Sequence, residues 1–388
     1  MKGIEMALSQ GKRTPEPVSR QTGNPVWERT HGRKSTSGGM FVFCCLTLFF
    51  LMGADLSFAA ETDQYYSWGR PLADSTQILN ARVNLEIAEA IGAFNREMKK
   101  KNEPARCEMV AQTIMNRFTF IGVHKIEYWA QTSDAIDRIP ADSSELDRYR
   151  QENLYRYNHP PWWQISFISL GHTVRVDGVR LGTDKLGHFF MQGWRYYQAW
   201  LAARRAGASD AEAVQKAIDV GIEQELGTLG LASSGVFSFA DLEANFQGFR
   251  FFRSLCHGES PRLRHDGQGW VFEGAFDWRD YVDPLWDESY NNSAFTPERW
   301  EGVERALLET CHKLLLDDVQ ALRRSYRKIH VENASTIRLR EEIEAGRIPD
   351  PKAQSIDAVC ARGDGIVKRR GQRGREGLPP LPAPASAQ

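Results

Sequence analysis

Residues 172–190 read HTVRVDGVRLGTDKLGHFF, and the hydrophobic period changes within them. Val174 and Val176 alternate with polar residues. Asp177-Gly178 is a type I′ turn signal, and Val179 and Leu181 resume the alternation, which predicts a tight β-hairpin. From Thr183 onward the spacing is helical. Asp184 and His188, four apart, fall on one helix face. An acid in the first turn is already explained by the helix macrodipole, so Asp184 alone is ambiguous between a helix start and a ligand.

Two further helices are predicted downstream. Ser209-x-x-Glu212 is a capping box that opens a helix running to about Leu229. Ser238-x-x-Asp241 opens the next, with Phe237 and Leu242 placed as its hydrophobic staple. Upstream, residues 75–101 and 103–120 read as two helices, while residues 124–161 are polar and irregular. A second small hairpin is expected around Gly267. Residues 277–295, DWRDYVDPLWDESYNNSAF, form an aromatic and acidic loop. Thr296-Pro297 starts a long helix to about His330. The expected fold class is mainly α: a helical domain with one or two small β-hairpins and long aromatic-rich loops.

The chain of 388 residues has a net charge of −1, 41% hydrophobic and 26% charged residues, and a mean hydropathy of −0.47. These values describe a globular chain with a real core. The balanced charge gives no electrostatic reason to expect nucleic acid as a partner. Residues 1–60 read as a basic leader and signal peptide: a basic n-region, the apolar run MFVFCCLTLFFLMG at 40–53, and Ser57-x-Ala59 before a cleavage point near Ala59/Ala60. Met40 is the alternative start. The apolar run falls short of the roughly 20 residues of a spanning helix, so no mature transmembrane helix is expected and the location is periplasmic or secreted. Residues 61–345 form a single mostly helical domain, and residues 346–388 a basic, Pro/Ala-rich disordered tail. Cys107, Cys256, Cys311 and Cys360 remain after the leader, an even number that permits two disulfides in any of three pairings.

Helical projection sorts the polar residues. In the helix from Ser209, Val214, Ala217, Ile218, Gly221, Ile222, Leu226 and Leu229 share one face. Glu225 falls within it and Glu223 opposite. A carboxylate on a core-facing stripe needs a partner or a metal. In the helix from Ser238, Asp241 and Asn245 lie on or beside the apolar face, while Glu243, Gln247 and Arg250 point away. In the helix from Thr183, Leu186, Phe190, Trp194, Tyr197 and Leu201 form the apolar face. Asp184, His188, Gln192 and Arg195 lie on the other side, lining a cleft or facing water.

Asp184-Lys185-x-x-His188-Phe189, then Gln224-Glu225, then Ser238-x-x-Asp241-x-x-Ala244-Asn245-x-x-Gly248 resembles the signature of the YfiM-like and VanZ-like bacterial envelope protein families, over about residues 183–248. The charges on these helices, including Arg195, Arg204 and Arg250, place the chain nearer the YfiM-like side. The resemblance implies a common site in which His188, Glu225, Asp241 and Asn245 converge, with Asp184 at the rim.

Three functions follow as expectations. The first is an exported cell-envelope hydrolase, with His188, Glu225 and Asp241 catalytic. Asp184, His188, Glu225 and Asp241 would be ligands of a divalent metal, and Asn245 would bind substrate such as peptidoglycan or lipid fragments. The second is a non-catalytic envelope protein whose polar cluster fixes helix packing. The third is a glycan-binding or glycan-cleaving protein. In it Trp278 and Trp286, with Trp162, Trp163 and Trp300, form platforms among the acids of residues 277–288.

Overall fold

The computed structural model describes residues 60–101, 105–120, 123–157 and 169–362. The leader and signal peptide, Trp162 and Trp163, and the tail beyond residue 362 lie outside the described residues. The fold is mainly α, as the sequence predicts. The helices are α1 (Thr76–Lys101), α2 (Cys107–Phe118), α3 (Lys125–Thr132), α4 (Ser143–Glu152), α5 (Thr183–Arg205) and α6 (Asp210–Leu226). They continue with α7 (Phe239–Cys256), α8 (Pro297–Thr310), α9 (Asp317–Tyr326) and α10 (Ala334–Glu344).

The hairpin Thr173–Val176 with Val179–Gly182 is present, paired Val174 to Leu181 and Val176 to Val179. Both turn residues take positive φ, Asp177 at 50° and Gly178 at 78°. This is the left-handed geometry that an Asp-Gly type I′ turn supplies. Its second strand runs directly into α5. A second hairpin pairs Leu263–His265 with Trp270–Phe272, and Ala60–Glu61 runs parallel to Ser169–Leu170.

α5 is the centre of the molecule. Every residue from Thr183 to Trp194 is buried, and so is every residue from Phe239 to Phe249 in α7. The projection therefore errs for Glu243 and Gln247, and of its two alternatives for Asp184, His188 and Gln192 the one that faces water is excluded. Over these stretches the two helices are covered on all sides, so no face is left for solvent. Glu243 instead accepts hydrogen bonds from Gln247 Nε2 at 2.6 Å and Asn333 Nδ2 at 2.8 Å. α6 behaves as expected, with Glu225 buried and Glu223 exposed, except that Leu226 is 38% exposed.

The aromatic loop closes this core. Phe189 is ringed by Phe190, Phe251, Phe276, Trp278, Tyr281 and Trp286 at centroid distances of 4.9–6.1 Å. Such pairs contribute about 0.5–1.5 kcal/mol each beyond burial. Trp278 and Trp286 are 0% exposed. The expectation that they form a sugar platform is overturned, because their rings are spent on packing. Trp300 is half-buried and stacks on Phe295.

Three other expectations are corrected. Residues 124–161 are not irregular throughout but include α3 and α4, the latter started by Asp142, whose side chain accepts from Glu145 N. The long helix from Pro297 breaks into 3-10 turns at Cys311–Leu315 before α9. Order continues past residue 345: Ile356 and Val359 are fully buried and Cys360 is bonded to Cys311. Apolar anchors and a disulfide hold this stretch despite its polar composition. The other disulfide joins Cys107 to Cys256, the start of α2 to the end of α7. Two such bonds belong to an oxidising, extracytoplasmic setting. Among the described residues no helix is long and apolar enough to cross a membrane.

Candidate acid-base and cation site

The first turns of α5 and α7 deliver their polar residues to one place. Asp184 and Lys185 follow the first residue of α5, and His188 lies one turn on. On α7, Ser238 caps the helix by accepting from Asp241 N at 3.1 Å. The Asp241 carboxylate does not turn back to complete a capping box. It reaches across to Lys185 instead, leaving the two helix N-termini and their positive dipole ends beside a shared acidic group.

Lys185 is 0% exposed. Its Nζ lies 2.5 Å from Asp184 Oδ2, 2.6 Å from Asp241 Oδ1 and 2.7 Å from Glu288 Oε1. Burial alone would lower its proton affinity. Asp184, Asp241 and Glu288 outweigh burial and raise it well above the ordinary lysine value. Asp184 also accepts from Thr62 Oγ1 at 2.6 Å, and Glu288 from Ser238 Oγ at 2.9 Å. Oxygens of Asp184, Asp241 and Glu288 lie within 4.8 Å of one another, close enough to hold one metal ion. The Lys185 ammonium touches all three, so a metal ion held by the same oxygens would have to take its place.

His188 is anchored at both nitrogens. Nδ1 lies 3.0 Å from Asn245 Oδ1, and Nε2 lies 3.4 Å from Asp241 Oδ2. Asp241 stays below the usual carboxylate range. Its burial is opposed by His188 and by Lys185, which also donates a hydrogen bond to it.

The surrounding acids are pushed the other way. Burial, then Asp241 and Glu61, raise Glu225 well above its ordinary value. Its Oε2 accepts from Ser238 N at 3.2 Å. Burial, then Glu288 and Asp241, do the same to Glu61. Glu61 accepts from Ser234 Oγ at 3.0 Å, and its other oxygen is buried with no partner among the described residues. Glu288 is raised to about 7 by burial, moderated by Lys185. Glu288 and Thr62 also line a cavity of about 10 Å³, the size of one water.

The structure thus brings together Asp184, His188, Asp241 and Asn245. The expected metal set is corrected, since His188 and Glu225 are not part of the converging oxygen group and Glu288 is. The sequence reading gave no role to Lys185 or Glu61, and placed Glu288 only among the acids of the glycan reading. Lys185 had a signal, because it shares the first turn of α5 with Asp184. Glu288 lies in an irregular segment where no periodicity could show which acid turns inward. Comparison with family models, curated proteins and solved structures finds no match.

These shifts fix a pH dependence. Glu288 at about 7 and Asp287, raised by burial to about 6, both bind protons more tightly folded than unfolded. Their stabilisation is complete below the unfolded values near 4.5 and 3.8 and is lost as pH rises through the folded ones. The melting temperature should therefore fall between pH 5 and pH 8, and Glu288→Gln should flatten part of that fall. A melting temperature that climbs over this range in thermal unfolding would contradict the assignment.

Proposed function

We propose that the protein is an exported cell-envelope hydrolase with a buried acid-base centre. The observation that carries this reading is Glu288, with a proton affinity near neutrality, beside both the Lys185 ammonium and a water-sized cavity. Groups with perturbed proton affinity concentrate at functional sites, and a base tuned near the working pH is the most effective. In this reading Glu288 takes a proton from water. Lys185 stabilises the negative charge that develops, and the Asp241–His188 pair, held by Asn245, supplies a proton to the leaving group. A divalent ion held by Asp184, Asp241 and Glu288 in place of the ammonium would supply Lewis acidity at the same point. The resemblance to YfiM-like envelope proteins and the two disulfides support the location, and peptidoglycan or lipid is the substrate class.

A second reading is favoured by burial. Lys185, Asp184, Glu225, Asp241, Glu288 and His188 are 0%, 1%, 2%, 3%, 5% and 6% exposed. In that reading the cluster is a non-catalytic clasp that fixes how α5, α7 and residues 284–289 pack.

The two readings separate on one comparison. Wild type and Glu288→Gln are incubated with peptidoglycan sacculi and with phosphatidylglycerol vesicles across pH, with circular dichroism as the folding control. The hydrolase reading expects soluble product whose rate rises through pH about 7 and falls about 100-fold or more in the variant. No turnover of either material, with the variant altered only in stability, would leave the clasp.

A further inference from the structure

A separate cleft of about 450 Å³ opens between the segment following Ala60–Glu61, α4 and the 3-10 turns at Cys311–Leu315. Its volume is in the range of small-molecule sites. Tyr66 is part of its wall, with the Arg70 guanidinium 5.1 Å and the Lys313 ammonium 5.9 Å from the ring centroid. Arg148, on the exposed side of α4, supplies a third cation.

The decisive point is which charges are already used. Asp63 accepts from Tyr66 N at 3.2 Å and Leu154 N at 2.8 Å. Glu309 is held by Arg156 and by the Tyr157 hydroxyl, each at 2.8 Å. Both acids are therefore committed. Arg70 engages Glu145 through one terminal nitrogen and keeps the rest of its fork. Lys313 donates once, to Tyr65 O at 3.0 Å, and has two further N–H bonds to give. Arg148 has no partner among the described residues. Of the acids that line the cleft, only the Glu152 carboxylate has no hydrogen bond or ion pair among the described residues, and Glu152 and Asp63 both act on the Lys313 ammonium. The turn that carries Lys313 is pinned at its first residue by Cys311–Cys360, so the cation is preorganised.

We infer that this cleft binds a phosphate group carried on a small polar body, with Arg70, Arg148 and Lys313 as its donors. Three cations from three separate segments suit a group with oxygens in three directions better than a planar carboxylate. The cleft is also larger than the ion, which leaves room for the body against Tyr66. The phosphate belongs either to a free phosphorylated molecule or to a phospholipid headgroup.

The test uses the full, oxidised chain. Calorimetry with glycerol 3-phosphate, and sedimentation with phosphatidylglycerol or phosphatidylcholine vesicles, is run on wild type, Arg148→Gln and Lys313→Gln. Arg148 is exposed and has no partner among the described residues, so its variant keeps the fold. Binding of glycerol 3-phosphate that weakens about tenfold in each variant, and weakens with salt, identifies a free ligand. Binding to phosphatidylglycerol vesicles alone, with the same losses, identifies the headgroup. Binding to neither, or binding indifferent to both substitutions, overturns the inference.

Discussion

Lys185→Met should destabilise the protein by about 3–5 kcal/mol, the range seen when one partner of a buried ion pair is removed. Methionine fills much of the lysine volume, so the loss is electrostatic. Asp184, Asp241 and Glu288 would face one another with no cation at their centre, all but closed to water. The variant should also gain a steeper pH dependence. Without the ammonium the three carboxylates take up protons more readily folded than unfolded, so stability increases on acidification. Urea unfolding at pH 5 and pH 8 measures both effects. Adding Asp184→Asn, Asp241→Asn and Glu288→Gln to Lys185→Met should recover part of the loss, because neutral partners can hydrogen-bond one another. A loss under about 1 kcal/mol, equal at both pH values, would mean that Lys185 is not the counter-charge.

Gly248→Ala should cost about 3 kcal/mol, the upper end for overpacking a core. A Cβ at Gly248 would lie 1.8 Å from Phe189 O and 3.0 Å from Gly193 Cα, and one at Gly193 would lie 2.6 Å from Gly248 Cα. The contact between α5 and α7 is backbone against backbone, so no side chain can rotate away and the helices must part. That separation would pull His188 from Asn245 and Lys185 from Asp241, one turn or two from the crossing. Gly92→Ala is the control. Its Cβ meets only the end of the Arg96 side chain at 3.4 Å, and alanine in a helix interior stabilises by up to about 1 kcal/mol. Thermal unfolding that ranks Gly248→Ala with Gly92→Ala would refute a glycine-dependent crossing.

The two substitutions show what was legible in the sequence. The hairpin, the Ser209 and Ser238 caps and the Pro297 helix start rest on neighbours a few residues apart, and each reads directly from local chemistry. Glu225 was legible because one helix of ordinary amphipathicity shows its inner face. α5 and α7 were not, because a helix covered all round has no polar side, and a projection assigns one regardless. Asp241 reads as a cap residue until its partner, Lys185, is seen 56 positions away in sequence. The tryptophans of residues 278–286 misled for a related reason. Aromatics among acids suit a sugar platform or a sealed core equally, and only packing around Phe189 decides. Glu288 depended on the path of an irregular segment, which no local rule specifies.

The disulfides carry a consequence for how the chain matures. Among Cys107, Cys256, Cys311 and Cys360, the first pairs with the second and the third with the fourth. A chain delivered N-terminus first into an oxidising space presents Cys256 to Cys107 before either competitor has arrived, and then Cys360 to Cys311. Of the three possible pairings, this one alone follows the order of arrival. Maturation then calls for an electron acceptor and not for a thiol that breaks and reshuffles wrong bonds.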